Sequence, residues 1–454
     1  MLSKLVKKYN IAGPRYTSYP TVPYWNSETF SLEKWKTSLI SSFKESNSKE
    51  GISLYIHLPF CESLCTFCGC NKRITRQHSV EPRYITAVLK EWYLYLELFD
   101  KKPIIKEMHL GGGTPTFFSP NNLKHLINGI LKDAELAEDY EFSFEGHPNN
   151  TTKEHLQALY DVGFRRVSYG VQDYNKTVQK AIHRIQPFEN VKRATDLARE
   201  IGYTSVGHDI IFGLPFQTIK HVKETILKTK ALQPDRLAFY SYAHVPWIKG
   251  NGQRGFNDAD LPSAELKRSQ YELGKELLAE VGYQEIGMDH FALTSDSLYQ
   301  SMKKGSLHRN FMGYTASKTQ AMVGLGVSSI SDSWYGFAQN VKRIEDYYKL
   351  LEENKIPVYR GHILNEEDLI IRKHILNLMC QFRTEWTKKH LYFKEIPEML
   401  IQLKEMEQDG LLSIGSNSIE VTKTGQPFIR NVCMAFDVLL QREQPNVQLF
   451  SMTV

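Results

Sequence analysis

From residue 53 to about residue 242, short β-rich runs alternate with amphipathic stretches of helical period. The runs are Ser53–Leu58, Glu107–Leu110, Glu141–Glu145, Arg166–Gln172, Ser205–Phe212 and Arg236–Tyr242. Helices are predicted over Tyr84–Leu98, Glu189–Ile201 and His221–Ala231. Ser119-Pro120 reads as an N-cap followed by a proline in the first helical position, and Thr151-Thr152-Lys153-Glu154 as a capping box. Six strand–helix alternations predict an α/β fold: a parallel sheet with right-handed crossovers, open or curled into a partial barrel.

The pattern changes outside this stretch. Residues 1–50 read as a poorly periodic arm. Between about 245 and 362 comes a mixed extension with loop signals such as Gly250-Asn251-Gly252. From Asn365 onward helical spacing dominates: Ile371, Ile375 and Leu378 share one helix face, and a β-hairpin is expected around Gly410–Val421. The expected division is an arm at 1–50, a catalytic barrel at 51–290, an extension completing it at 291–362, and a mainly helical unit at 363–454. A small winged-helix unit also fits the last stretch, but it brings no basic face for DNA.

Composition narrows the class. A chain of 454 residues with 41% hydrophobic and 24% charged positions suits a soluble enzyme with a full core. The net charge of +5 is modest and no basic tract stands out, which argues against nucleic acid. No run approaches the roughly 18–20 apolar residues of a membrane span. The start, Met-Leu-Ser-Lys-Leu-Val-Lys-Lys, lacks a secretory apolar core, so a cytoplasmic protein with reduced cysteines is expected.

Four of six cysteines fall within ten residues: Cys61-Glu-Ser-Leu-Cys65-Thr-Phe-Cys68-Gly-Cys70. A C-x3-C-x2-C loop supplies three thiolates, one short of the four that close an iron–sulfur cluster, so one iron stays open to a small molecule. A structural zinc knot competes, but zinc motifs usually bring two separated pairs, and no second pair exists here. Cys380 and Cys433 are isolated and read as small buried apolar residues.

In parallel α/β sheets, chemistry collects at the carboxyl ends of the strands. The cysteine loop follows the first predicted strand, Gly111-Gly112-Gly113-Thr114-Pro115 the second, and Glu145 and Gln172 end the third and fourth. Asp209 lies in the fifth, and the sixth runs into Tyr242-Ala243-His244. Glycines without a Cβ let backbone groups approach a ligand closely. Glu145, Gln172 and Asp209 suit amino or hydroxyl groups of a polar cofactor. Arg184 fits either a bidentate carboxylate partner or a solvated helix end. The cationic run Lys72-Arg73-Ile74-Thr75-Arg76 fits a polyanionic substrate or a solvated surface, and the aromatics Tyr16, Tyr19, Tyr24 and Trp25 fit a lid or surface packing.

The cysteine loop after a strand, with Phe67 beside it and Gly-Gly-Gly-Thr-Pro further on, resembles the radical S-adenosylmethionine superfamily. More narrowly, the chain resembles its oxygen-independent coproporphyrinogen III oxidase family. That resemblance rests on Arg15-Tyr16-Thr17-Ser18-Tyr19-Pro20-Thr21, Cys68-Gly69-Cys70-Asn71-Lys72, Gly170-Val171-Gln172-Asp173, Gly213-Leu214-Pro215, Tyr242-Ala243-His244, Gly287-Met288-Asp289-His290-Phe291 and His308-Arg309-Asn310. It implies a partial (β/α)6 barrel and two decarboxylations of coproporphyrinogen III propionates to vinyl groups, giving protoporphyrinogen IX. It also implies one [4Fe-4S] cluster on Cys61, Cys65 and Cys68, with Cys70 accessory, and two S-adenosylmethionine molecules cleaved to methionine and 5′-deoxyadenosine. Tyr55, Gly112, Glu145 and Ile330 match family positions at the first molecule. Phe67, Gly113, Thr114, Gln172, Arg184, Asp209 and Ala243 match positions at the second. A low-potential electron donor, an electron acceptor and a monomeric state complete the expectation. Two departures stand out: Gly146-His147 where the family often has Val-Asp, and Met312 where it often has glutamine. A haem-binding chaperone of the same superfamily is the alternative; those relatives look shorter at the amino terminus and typically carry phenylalanine at the position of Cys70.

Overall fold

The six expected strands lie side by side in one sheet: β1 (Ile52–Leu58), β2 (Ile104–Gly112), β3 (Glu135–Gly146), β4 (Arg166–Gln172), β5 (Ser205–Phe212) and β6 (Arg236–Ser241). All five neighbouring pairs are parallel, in chain order. The computed structural model describes residues 2–26, 28–246, 253, 255–388, 391–443 and 449–453, so the loop signal at Gly250-Asn251-Gly252 lies outside the described residues. Beyond β6 the sheet adds β7 (Gln284–Gly287) and β8 (His290–Ala292), both antiparallel. On the other edge β9 (Ala321–Leu325) runs parallel to β1, followed by antiparallel β10 (Ile330–Asp332), β11 (Gly336–Asn340) and β12 (Val358–Ile363). The resulting order is β12-β11-β10-β9-β1-β2-β3-β4-β5-β6-β8-β7.

Alternation along the central strands fixes which face is which. Ser53, Tyr55 and His57, then Glu107 and His109, then Glu141, Ser143 and Glu145, then Arg166 and Ser168, occupy every second position. Between them Ile52, Leu54, Ile56, Leu58, Met108, Leu110, Phe142, Phe144 and Val167 are buried in one core with Tyr84, Val88 and Trp92 of the helix Glu81–Leu96. Full burial of such side chains contributes about 1.5–3 kcal/mol each. The opposite, polar face is stable only because its charges are paired. Arg166 reaches Glu141 at 2.7 Å and Arg236 reaches Asp296 at 2.7 Å. Burial alone would raise the Glu141 carboxyl, but Arg166 and Arg236 together hold it down at about 2.

Helix starts follow local chemistry. Ser119 caps Pro120–Leu131, its hydroxyl accepting from Asn122 N at 3.3 Å. The capping box before Lys153–Asp161 sits one residue later than expected, on Thr152 and His155. His155 is fixed for this role by its Nε2, which bonds the Phe118 carbonyl at 3.1 Å.

The first fifty residues are more ordered than their pattern suggests, with helices at Leu2–Tyr9 and Leu32–Ser46. Trp35, Leu39 and Phe43 join the core of the sheet. Leu5, Val6, Tyr9, Tyr16 and Tyr19 instead share a core with Ile371, Ile375, Leu378, Met399, Leu403, Val432 and Phe436. Tyr16, Tyr19 and Trp25 are therefore buried packing residues. The last hundred residues combine helices Glu366–Gln381, Ile396–Gln408 and Ile429–Phe436 with a small antiparallel sheet, whose Leu412–Ile414 and Ser418–Val421 form the expected hairpin. Cys380 and Cys433 are buried there. Among the described residues, no helix is long and apolar enough to cross a membrane.

Candidate functional site

The cysteine loop is pinned at its base and middle. After β1, Phe60–Cys61 pairs in parallel with Arg73–Ile74; Arg73 N donates to Pro59 O at 2.8 Å and Thr75 N to Cys61 O at 2.9 Å. Thr66 donates through both N and Oγ1, at 3.0 Å, to the carbonyls of Ile182 and Ala181. His57, buried at the end of β1, spans the Asn71 carbonyl (2.9 Å) and the Tyr55 hydroxyl (3.1 Å). Held this way, Cys61, Cys65, Cys68 and Cys70 line a cavity of about 460 Å³ at the carboxyl rim of the sheet.

The thiols differ in their surroundings. Burial pushes the Cys61 thiol up to about 11, partly offset by the Thr114 hydroxyl, which donates to Cys61 Sγ at 3.4 Å. Cys68 is pulled below the usual thiol range by a hydrogen bond from Cys70, with Lys72 and Arg184 acting in the same direction. Arg184 Nη1 lies 3.7 Å from Cys65 Sγ. Cations beside cysteines favour the thiolate, which is the form that binds metal. Among the described residues, no three His, Cys, Asp or Glu side chains close on a single ion. One tetrahedral zinc would draw its sulfurs to about 2.3 Å from a common centre. Three thiols around a shared cavity suit the wider footprint of an iron–sulfur cluster.

Glycines form the opposite wall. Gly112 has φ +113°, and a Cβ there would meet the His57 ring at 2.7 Å. A Cβ on Gly113 would stand 2.6 Å from the backbone of Pro59. The open Gly112 N–H donates to Glu145 Oε2 at 3.3 Å, and His109 Nε2 lies 3.5 Å from Glu145 Oε1. At the end of β4 the register slips between Gly170 and Gln172 against β5, and Gln172 adopts φ +66°. Such a bulge re-aims a side chain at a sheet rim, and a left-handed non-glycine residue costs backbone strain. Arg184 is braced by its bonds to Gly170 O (3.0 Å) and Gln186 Oε1 (3.2 Å).

Phe67, Gly112, Gly113, Thr114, Glu145, Gln172, Arg184 and Asp209 all line the same cavity as the cysteines. Tyr55, Ala243 and Ile330 stand outside that lining. The Tyr55 ring stacks on His109 at 6.1 Å, behind Gly111. The Ala243 carbonyl is tied to that of Phe67 through the Gln253 amide, at 3.0 and 3.1 Å. Ile330 packs with Trp25 and Phe337. The cationic run divides: Arg76 lines the cavity, whereas Arg73 pairs with Glu345 at 2.8 Å on the surface.

Sequence reasoning missed His57, Tyr240 and the donor role of His147. The period-two polar face of β1 and β6 carried the signal for the first two. His147 is pushed down to about 2 by burial and then by Arg184, so it is neutral; its Nδ1 accepts from Asn149 N at 3.2 Å, leaving the hydrogen on Nε2. Met312 lines a smaller cavity of about 120 Å³ inside the sheet, which shares Glu145, Asp209 and Tyr240 with the larger one.

Asp209 joins the two cavities. Burial, reinforced by Glu145, raises its carboxyl to about 7, while Ser168 Oγ donates to it at 3.0 Å. The unfolded value is about 4, so the folded chain keeps a proton that the unfolded chain has lost, and stability falls as pH rises from about 4 to about 7. In cluster-free protein, Asp209→Asn is expected to remove this slope and to exceed the wild type in unfolding midpoint above about pH 7. A difference between the two that stays constant with pH would refute the assignment.

Comparisons with known proteins agree with this geometry. A family model described as the radical SAM superfamily matches residues 55–228. An oxygen-independent coproporphyrinogen III oxidase from Helicobacter pylori is 41% identical over 442 residues, covering 96% of each chain. The Escherichia coli protein of the same name is 38% identical, covering 99% of this chain and 98% of its own. The solved coproporphyrinogen III oxidase from Escherichia coli superposes with a TM-score of 0.89 at 36% identity, over 96% of this chain and 98% of that one. On full-length similarity, a shared fold and a three-cysteine loop at the sheet rim, this chain belongs to the oxygen-independent coproporphyrinogen III oxidase family of radical SAM enzymes.

Proposed function

We propose that the chain converts two propionate side chains of coproporphyrinogen III to vinyl groups without oxygen, giving protoporphyrinogen IX, as a step of haem biosynthesis. The observation that carries this reading is the trio of cysteines facing one cavity at the rim, in a chain whose relatives of that name match it end to end. Cys61, Cys65 and Cys68 would hold a [4Fe-4S] cluster. With S-adenosylmethionine bound, that group supplies a radical able to take hydrogen from an unactivated carbon.

The chain's own residues bind, orient and seal. In this reading Glu145 and Gly112, with Tyr55 and Ile330 behind them, hold one S-adenosylmethionine; the Glu145 carboxylate accepts from its ammonium. Phe67, Gly113, Thr114, Gln172, Arg184 and Asp209 surround a second, with Ala243 tied to Phe67 through Gln253 and the Arg184 guanidinium facing a carboxylate. Neutral His147 offers its Nε2 hydrogen into the same space. Each conversion removes hydrogen, carbon dioxide and one electron, which requires a low-potential donor and an acceptor as partners. A monomer working in the cytoplasm is part of the proposal.

Anaerobic incubation of reconstituted protein with S-adenosylmethionine, reductant and coproporphyrinogen III should yield methionine, 5′-deoxyadenosine and protoporphyrinogen IX. Absence of both 5′-deoxyadenosine and the product overturns the reading. A propionate contact is expected at Arg76 and not at Arg73, because Arg73 is engaged by Glu345. Arg76→Ala should raise the porphyrinogen KM by about tenfold, the worth of one charge-assisted hydrogen bond, and Arg73→Ala should leave it unchanged. The opposite ranking would remove Arg76 from the substrate site.

A further inference from the structure

A second pocket of about 60 Å³ lies where the amino-terminal segment, the sheet and the carboxyl-terminal helices meet. Arg15 lines it from the amino-terminal segment, Arg268 from the helix Ala264–Ala279 packed on the sheet and Arg430 from the carboxyl-terminal helices, with Asp289, Gln426 and Thr453. Ser241 is on its wall, whereas its neighbour Tyr240 faces the two cavities already described, so the pocket sits across β6 from them. Its volume is several times what one water requires and far less than that of the main cavity.

Charge at this junction is unbalanced. Arg15 pairs with Asp289, and Arg268 Nη2 pairs with Glu272. Arg430 meets only neutral carbonyls: Nε donates to Pro14 O at 2.8 Å, Nη1 to Met452 O at 2.9 Å, and Nη2 to Gly13 O. Two carboxylates thus answer three guanidiniums. Lys267, bonded to the Tyr242 carbonyl at 2.9 Å, and Arg309, bonded to the carbonyls of Tyr16 and Arg15, add further cations with neutral partners. Two buried donors here have no hydrogen-bond partner among the described residues, Arg268 Nε and Arg309 Nη1. Burial and Arg15 push the Arg430 guanidinium down to about 9, and Asp289, already paired with Arg15, offsets this only in part. Leaving such charge and such donors unanswered is costly.

We infer that this pocket binds a small tetrahedral oxyanion of the phosphate type, which clamps the amino-terminal segment and the carboxyl-terminal helices onto the sheet. Guanidiniums arriving from three directions suit a tetrahedral anion, which offers an oxygen to each. A planar carboxylate presents two oxygens in one plane and serves one fork best. The pocket has room for the anion itself and none for a nucleotide. Its filling would neutralise Arg430, satisfy Arg268 Nε and tie together segments far apart in the sequence.

The test is equilibrium dialysis of the full-length, cluster-reconstituted protein, saturated with S-adenosylmethionine, against labelled inorganic phosphate. The wild type should retain a single phosphate per chain, displaced poorly by acetate or chloride at equal ionic strength. Arg268→Gln should weaken retention by at least about tenfold, and Arg268→Lys, which keeps the charge but loses the Nε donor, should fall between. If Arg268→Gln does not fold, the Lys variant decides. No retained phosphate in the wild type, equal retention in the variants, or equally effective displacement by acetate would each overturn the proposal.

Discussion

Serine at Cys61, Cys65 or Cys68 is expected to abolish cluster assembly, and serine at Cys70 is expected to leave iron bound. All four sulfurs line the same cavity, so proximity alone does not separate them. What separates them is spacing. Cys61, Cys65 and Cys68 form the C-x3-C-x2-C trio that leaves one iron open, and Cys70 would be a fourth ligand beyond it, so a serine there leaves the trio intact. A hydroxyl at any of the other three positions removes one of only three protein ligands. Iron and sulfide analysis of anaerobically reconstituted protein reads the outcome directly. Iron lost from Cys70→Ser, or kept in Cys65→Ser, would show that the ligand trio is wrongly chosen.

The next largest effect is expected from a single methyl group. In Gly113→Ala the new Cβ would stand 2.6 Å from Pro59 C and O and 2.9 Å from Phe60 O. These are backbone atoms immediately before Cys61, and Gly113 N is itself bonded to Leu58 O at 2.8 Å, so neither side yields easily. Overpacking of this kind costs about 1–3 kcal/mol. The resulting shift of the cysteine loop should lower turnover by about a hundredfold, since misplacement by about 1 Å carries that penalty. Gly69→Ala is the control: it lies inside the same loop, but no atom stands within 4 Å of its added Cβ. Turnover and unfolding midpoint, measured for both variants, should differ sharply. If Gly113→Ala behaves like Gly69→Ala, the rim is softer than the packing implies.

The parallel core was legible in the sequence because its strands carry two signals at once, a polar inner face and an apolar outer face. The rim site was legible for the same reason, since features at strand ends must converge. The edge strands β9 to β12 were not, because segments such as Ile330–Asp332 are too short to show alternation. Arg73 and Arg76 look equivalent in the sequence; only the placement of Glu345, 272 residues after Arg73, tells them apart. The first fifty residues read as irregular because their apolar positions serve two cores, Trp35, Leu39 and Phe43 in one and Leu5, Val6 and Tyr9 in the other.

That division bears on how the chain is made. Leu5, Val6, Tyr9, Tyr16 and Tyr19 leave the ribosome roughly 350 to 430 residues before the helices that cover them, which carry Ile371 to Phe436. At about 5–20 residues per second, the wait is roughly 20–85 s. Throughout that interval a greasy amino-terminal stretch has no native shelter, which makes it a natural customer for a holding chaperone and the first region to aggregate when translation stalls.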